Sequence, residues 1–414
     1  MSDWVASGRR GLIDPRLLAL VDQAVVSGCN FITTVILARQ LSTESFGLFS
    51  LAFMICLFLS NLHRAGLTQP LNVLGSGESH ERLAWRLAGL LRVQMILLPL
   101  SAIVLAAASL LLFPDAALTL SAIVYFSCFA LQETLRRYWY TRVAVREALM
   151  NDLLSYGTQV VVLVALVVSD RLLVGTAFLA MGATSLLAFV AGMRRIGPAT
   201  LQRAQPVSEV VAEHWPMAKW LLLTVLAVWG AGQVYPLLMV PLGAAAVASF
   251  AACRNLLNAM GLIVQSVGNY IPTQAAKALR HSGKDVLRRD IWSACAAALL
   301  AGVVFLLFIH WYAGPLLHLI YAGRYDHAAP ILRTLAFGTV FSLLGAILGA
   351  YALAMEDSRS GFLSNLGASV VTFTVGLWLI GSHGVVGASL AAVLSLAVAT
   401  SLQAMFVALR LRHL

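Results

Sequence analysis

The stretch LLALVDQAVVSGCNFITTVILARQLSTESFGLFSLAFMICLFLSNLHR, residues 17–64, decides the fold. Two apolar runs, Leu17–Ala38 and Gly47–Leu62, are joined by a short polar corner and flanked by arginines. Each is near the roughly 20 residues that a helix needs to cross a hydrocarbon core about 30 Å thick. Irregular or sheet backbone at that depth would leave polar groups without partners, so both runs are predicted as membrane-spanning helices.

The same alternation extends outward to the end of the chain. Further runs lie at Ala88–Phe113, Ala117–Leu135, Leu153–Ser169 and Leu172–Met193. A second set follows at Met217–Val240, Ala244–Val264, Ile291–Trp311, Ile331–Ala354, Gly361–Ile380 and Gly384–Leu409. The pattern predicts an all-α integral membrane protein with about twelve transmembrane helices. Composition agrees: 60% of residues are hydrophobic and only 11% charged, which excludes an ordinary soluble domain.

Orientation follows from the basic residues. Most of the 28 lysines and arginines fall in the N-terminal tail, in every second gap and at the C-terminus. The opposite side has only Arg39, Arg171, Arg324 and Arg333. This asymmetry places both termini in the cytoplasm. The net charge of +10 then reflects basic loops beside anionic lipid headgroups and calls for no nucleic acid. Arg9 and Arg10 lead straight into a full-length span, so the first helix is expected to remain as an anchor rather than be cleaved. The five cysteines all lie in predicted spans, without metal-ligand spacing, and read as small buried hydrophobes.

The chain divides into two similar halves. A six-helix bundle is expected over residues 1–203, an interfacial linker over 204–216 and a second six-helix bundle over 217–414. In the linker, Val207, Val210, Val211 and Trp215 recur at helical spacing opposite Glu209 and Glu213, the pattern of a short interfacial helix tethering the bundles. Leu41 and Phe49 can be laid on Leu242 and Phe250, and Gly66-x-x-x-Pro70 on Gly268-x-x-x-Pro272, at offsets that agree within one residue. With six spans each, the halves are parallel repeats about an axis along the membrane normal, and a substrate path would run between them.

Ionisable residues inside spans cost about 2.5–3.5 kcal/mol each on insertion scales, so each needs a reason. On the first helix Asp22, Gln23, Ser27, Asn30, Thr33 and Thr34 share one sector of roughly 140°. That stripe faces either a neighbouring helix or a water-filled cavity. In the second case Asp22 would bind a coupling proton or sodium ion, the one cofactor-like species expected. Arg254 lies about 16 Å from the outer end of the eighth span at 1.5 Å per residue, too deep to snorkel. Asn258, Gly261, Gln265 and Asn269 share its face, with Asn255 alongside. A guanidinium there suits an anionic partner such as phosphate; the alternative is a buried pair with Asp22 or with backbone carbonyls. Arg64 and His63, at the end of the second span, read either as first contacts for a headgroup or as interfacial anchors.

There is no Walker motif, dinucleotide loop, GxSxG or HExxH. The outer gaps are short and hold no paired carboxylates, so an enzyme is not expected.

The stretch from Asp22 to Phe53, DQAVVSGCNFITTVILARQLSTESFGLFSLAF, resembles the start of bacterial polysaccharide-biosynthesis flippases. These belong to the multidrug/oligosaccharidyl-lipid/polysaccharide exporter superfamily. LQETLRRYWYTR, Leu131–Arg142, is similar to that family's segment at the cytoplasmic end of the fourth span. The resemblance implies a V-shaped pair of bundles in the bacterial inner membrane. It implies alternating access for an undecaprenyl-diphosphate-linked oligosaccharide, moved to the periplasmic leaflet for O-antigen or exopolysaccharide synthesis. Its implied partners are that lipid-linked substrate, membrane lipids, and polysaccharide polymerase and assembly proteins. Substrate contacts are expected at Arg254, Asn255, Asn258, Gln265, Asn30 and Arg64. Two competitors remain: a cation-coupled multidrug exporter of the same superfamily, and a membrane polysaccharide polymerase or ligase.

Overall fold

The computed structural model describes the backbone of residues 15–197, 203–258, 261–355, 357 and 359–413; side chains are not described for 15–16, 261–274, 276–284 and 413. Among the described residues every regular element is helical. The first half contains α1 (Pro15–Gln40), α2 (Thr43–Leu74), α3 (His80–Leu112), α4 (Ala116–Thr141), α5 (Val145–Val168) and α6 (Val174–Ile196). The second contains α7 (Val207–Val228), α8 (Ala244–Asn258), α9 (Gly261–Tyr321), α10 (Ala329–Ala354), α11 (Arg359–Val371) and α12 (Leu377–His413).

Nine helical stretches among the described residues are long and apolar enough to cross a membrane, and one of them holds two crossings. That stretch, Arg359–Arg412, has 54 residues, about 80 Å at helical rise and far more than a bilayer core. Its chain reverses at Gly384, whose φ of +59° is open to glycine at little cost. Beyond the turn, Gly387 lies so close to the Leu379 carbonyl that no Cβ fits. The eleventh and twelfth predicted spans meet there. Likewise α9, at 61 residues, takes in the end of the eighth span, a basic segment and the whole ninth span.

Sequence chemistry sets the corners. Ser42 caps α2 by accepting the Ser45 amide at 3.1 Å, and Asp115 caps α4 by accepting from Ala117 and Leu118 at 2.9 and 3.0 Å.

Three predicted boundaries move. Helix α2 continues past Leu62 through a π turn, Arg64–Thr68, to Leu74, so Arg64 lies within a helix rather than after it. Helix α4 runs on to Thr141, which brings Arg136 and Arg137 inside the bundle. The expected linker helix is not separate: it is the start of α7, which passes through Pro216 without ending. Its Val210 is buried in the same apolar cluster as Leu83 and Leu87 of α3, and Arg86 is salt-bridged to both Glu78 and Glu213.

The two halves meet at the arginine-poor end, where α2 packs on α8. Gly47 sits against the Ala244 backbone with no room for a side chain. Phe46, Phe49, Phe250, Tyr321 and Tyr325 are buried there in one continuous core. Outer faces carry exposed Ile103, Leu111, Val161, Leu300 and Trp311, the surface a bilayer would cover.

Candidate functional site

A cavity of about 230 Å³ opens inside the second half, lined by α8, α10, α12 and the segment after α7. Arg254 and Asn258 reach it from α8, Thr339 and Ser342 from α10, and Gln233 from the α7 side. The Arg254 guanidinium donates to the Gln233 side-chain carbonyl. Among the described residues no carboxylate forms an ion pair with Arg254. The expected alternative, a pair with Asp22, is not formed. Among the described residues this cation is held by one neutral amide, beside the Asn258 amide and the Thr339 and Ser342 hydroxyls. The cavity is otherwise lined by apolar residues and glycines, and the guanidinium has donors left for an anion.

Gln233 owes its position to a π turn, Trp229–Gln233, at the end of α7. An extra residue in the turn rotates the succeeding backbone by roughly 100° relative to an unbroken helix. The end of α11 lies against the turn. The Ser369 hydroxyl is 2.9 Å from both the Ala227 and Asn365 carbonyls. The Thr372 hydroxyl, just past α11, is 3.1 Å from both the Ala231 and Ala368 carbonyls, so each hydroxyl shares one proton between two acceptors. Just beyond the turn, the Tyr235 hydroxyl shares hydrogen bonds with Ser395 at 2.8 Å and Thr372 at 3.2 Å.

The first half holds a different polar cluster, buried and charged. Asp22 is fully buried. Its Oδ2 accepts from Arg136 at 2.9 Å and from the Tyr140 hydroxyl. Arg136 also pairs with Asp152, and with Glu133 at 3.6 Å, while Arg137 pairs with Glu133 at 2.7 Å. Gln132 donates to Asp152 at 2.9 Å. Asp152 immediately precedes a second π turn, Leu153–Gly157. The predicted stripe on α1 therefore serves more than one purpose. Asp22 and Thr33 are buried against other helices, the latter accepting from Gln159 of α5 at 2.8 Å. Gln23 bonds Ser27 within α1 at 3.2 Å, and Asn30 is half-buried.

Of the expected contact residues, the cavity brings together Arg254 and Asn258. Asn255 turns aside and donates to Tyr321 at 3.3 Å. Arg64 is exposed in the first half, near enough to Arg137, Glu133 and Arg136 to feel their charges. The Gln265 side chain lies outside the described residues. Sequence reasoning missed Gln233, Thr339 and Ser342 at the cavity and Arg136, Asp152 and Glu133 in the charged cluster. Glu133 and Arg136 lie within the Leu131–Arg142 segment, and their spacing with Arg137 within one helical turn is the physical signal.

No family model and no curated protein sequence matches the chain. Solved structures do. An inward-facing multidrug resistance MATE family transporter of the MOP superfamily superposes with a TM-score of 0.74 at 15% identity, over 95% of this chain and 98% of that one. The lipid II flippase MurJ in an inward closed conformation gives 0.68 at 13% identity, over 95% and 87%. A third, a MOP superfamily transporter from Pyrococcus furiosus described as having a binding pocket of reverse polarity, gives 0.65 at 12% identity, over 96% and 94%. The chain has the MOP transporter fold. In this MOP-fold chain the two halves are closed on each other at the arginine-poor end, and each encloses its own polar cluster.

Proposed function

We propose that this chain is an alternating-access transporter, not an enzyme, that moves an undecaprenyl-diphosphate-linked oligosaccharide from the cytoplasmic to the periplasmic leaflet of a bacterial inner membrane for polysaccharide synthesis. The observation that carries the reading is Arg254. A guanidinium deep in a membrane protein, lining a cavity and bonded among the described residues only to a neutral amide, is expensive to keep. Phosphate oxygens of a headgroup would repay that cost through charge-assisted hydrogen bonds. The two halves, rocking against each other about the segment that leads into α7, would expose the cavity to each side in turn.

The clustered carboxylates Asp22, Glu133 and Asp152 favour a second reading, a cation-coupled multidrug exporter. Against it, each of those carboxylates is already bound to an arginine of α4. A coupling proton or sodium ion at Asp22 would have to compete with Arg136. Transport by Asp22→Asn in proteoliposomes, with and without a proton or sodium gradient, tests this. Loss of the gradient dependence places coupling at Asp22, and unchanged dependence removes it from the mechanism.

The decisive experiment is a gene deletion complemented with wild type or Arg254→Gln. Lipid-linked repeat units should accumulate on the cytoplasmic leaflet in the deletion strain, and Arg254→Gln should fail to clear them although inserted at wild-type levels. Full clearance by that variant would refute the reading.

A further inference from the structure

We infer that Gln233 is a built-in placeholder for the substrate's oxyanion: its side-chain carbonyl occupies Arg254 in the empty transporter and is displaced when an anion enters. The inference rests on the reading of Arg254 as the anion site and adds the residue that sets its affinity.

Three observations support it. First, Gln233 is the sole side-chain hydrogen-bond partner of Arg254 among the described residues, and both line the same cavity. Second, the backbone that presents Gln233 is fixed. Ala227, just before the π turn, meets Ser369 of α11, Ala231 within the turn meets Thr372 just past α11, and Tyr235 bonds Thr372 and Ser395. Thr372 opens a π turn of its own, Thr372–Gly376, so two irregular turns are bolted together by hydroxyls. Exchange of partners at Arg254 therefore requires only rotation of the Gln233 side chain, leaving the helix in place. Third, the chemistry is graded correctly. A neutral amide oxygen accepts from one of the five N–H donors of the guanidinium in the absence of ligand, and binds it more weakly than a carboxylate or phosphate does. A carboxylate at position 233 would hold Arg254 permanently, and a residue with no acceptor would leave the cation unsatisfied and over-avid.

The test is calorimetric titration of inorganic pyrophosphate into the purified full-length transporter in detergent at fixed low salt, with glucuronate as a parallel arm. Gln233→Ala should tighten pyrophosphate binding on the order of tenfold, the scale of one hydrogen bond to a charged group. Gln233→Glu should weaken it by tenfold or more, and Arg254→Gln should abolish it. Because the two position-233 variants shift affinity in opposite directions, misfolding cannot mimic the result. The same ordering with glucuronate, and none with pyrophosphate, also upholds the placeholder and assigns the oxyanion to an acidic sugar. Wild-type affinity in both position-233 variants, with binding lost in Arg254→Gln, overturns the placeholder and leaves the anion site standing. Wild-type affinity in Arg254→Gln removes the anion site, and the placeholder with it.

Discussion

Arg136 is the side chain on which the first half depends most. It is 7% exposed and pairs with Asp22, Asp152 and Glu133, which come from three different helices. Removing one partner of a buried ion pair leaves the others uncompensated and costs about 3–5 kcal/mol. Arg136→Gln should therefore lower the thermal unfolding midpoint in detergent substantially. Arg136→Lys should recover only part of the loss, because an ammonium cannot reproduce the planar fork that reaches several carboxylates. An unchanged midpoint for Arg136→Gln would show that the cluster contributes little to stability. The residue also illustrates what a sequence displays. Asp22 and Arg254 stand out because a charge interrupts a long apolar run. Arg136, Glu133 and Asp152 sit at the edges of runs, among other charges, where a buried network and a set of interfacial anchors look identical. Gln233 is a lone uncharged amide in the seventh apolar run, a weaker interruption than a charge.

At the level of elements, the helices among the described residues are legible from hydropathy, and the lengths of several are not. Polar residues such as Gln69 and Asn72 depress hydropathy at the end of α2 although the backbone stays helical to Leu74. The π turns leave no trace, because one extra residue alters the facing of a helix but not its composition. They matter for the site, since Arg64 begins one, Asp152 precedes another and Gln233 ends a third. The amphipathic pattern of the linker is plain in the sequence, but its fusion with α7 depends on contacts with α3 that the pattern does not encode. The Arg86 guanidinium holds the Glu213 carboxyl below its ordinary value near 4.5, chiefly by donating a hydrogen bond to it. A carboxylate lowered on folding contributes stability that is complete above its unfolded pKa and is lost as pH falls through the folded one. Protection from hydrogen exchange at residues 207–214, taken relative to the intrinsic rate at each pH, should thus hold at neutral pH and fall only below about pH 4.5. In Glu213→Gln it should be low at neutral pH as well. Equal protection in the variant and wild type would assign the docking of this segment to Val210 alone.

For the whole molecule, the closed end is held by reciprocal contacts between the halves. Arg39, at the end of α1, donates to the carbonyls of Leu319 and Ile320 in the last turn of α9. Arg324, just past α9, donates to the carbonyl of Leu41, just past α1. Carbonyls at a helix C-terminus lack intrahelical partners and carry partial negative charge, so an arginine from the other half satisfies both deficits. Beneath this latch lies the aromatic core, with Phe46 edge-on to Tyr325 at 6.1 Å between ring centres. On the alternating-access reading proposed above, the apolar contact would close this end and the arginines would set how readily it opens. At about 1 kcal/mol for each latch, the pair would contribute about 2 kcal/mol, or roughly 30-fold in the opening equilibrium. Arg39→Ala combined with Arg324→Ala should shift the population toward the open end without unfolding either half. The reporter is Ala248→Cys, a fully buried position on α8, in a background with the five native cysteines replaced. A membrane-impermeant thiol reagent should label it many-fold faster in the double variant than with the latch intact. Equal labelling rates would mean that the aromatic core alone governs closure. A rise in labelling accompanied by loss of the transporter from the membrane would instead mean that the latch holds the fold together rather than the gate.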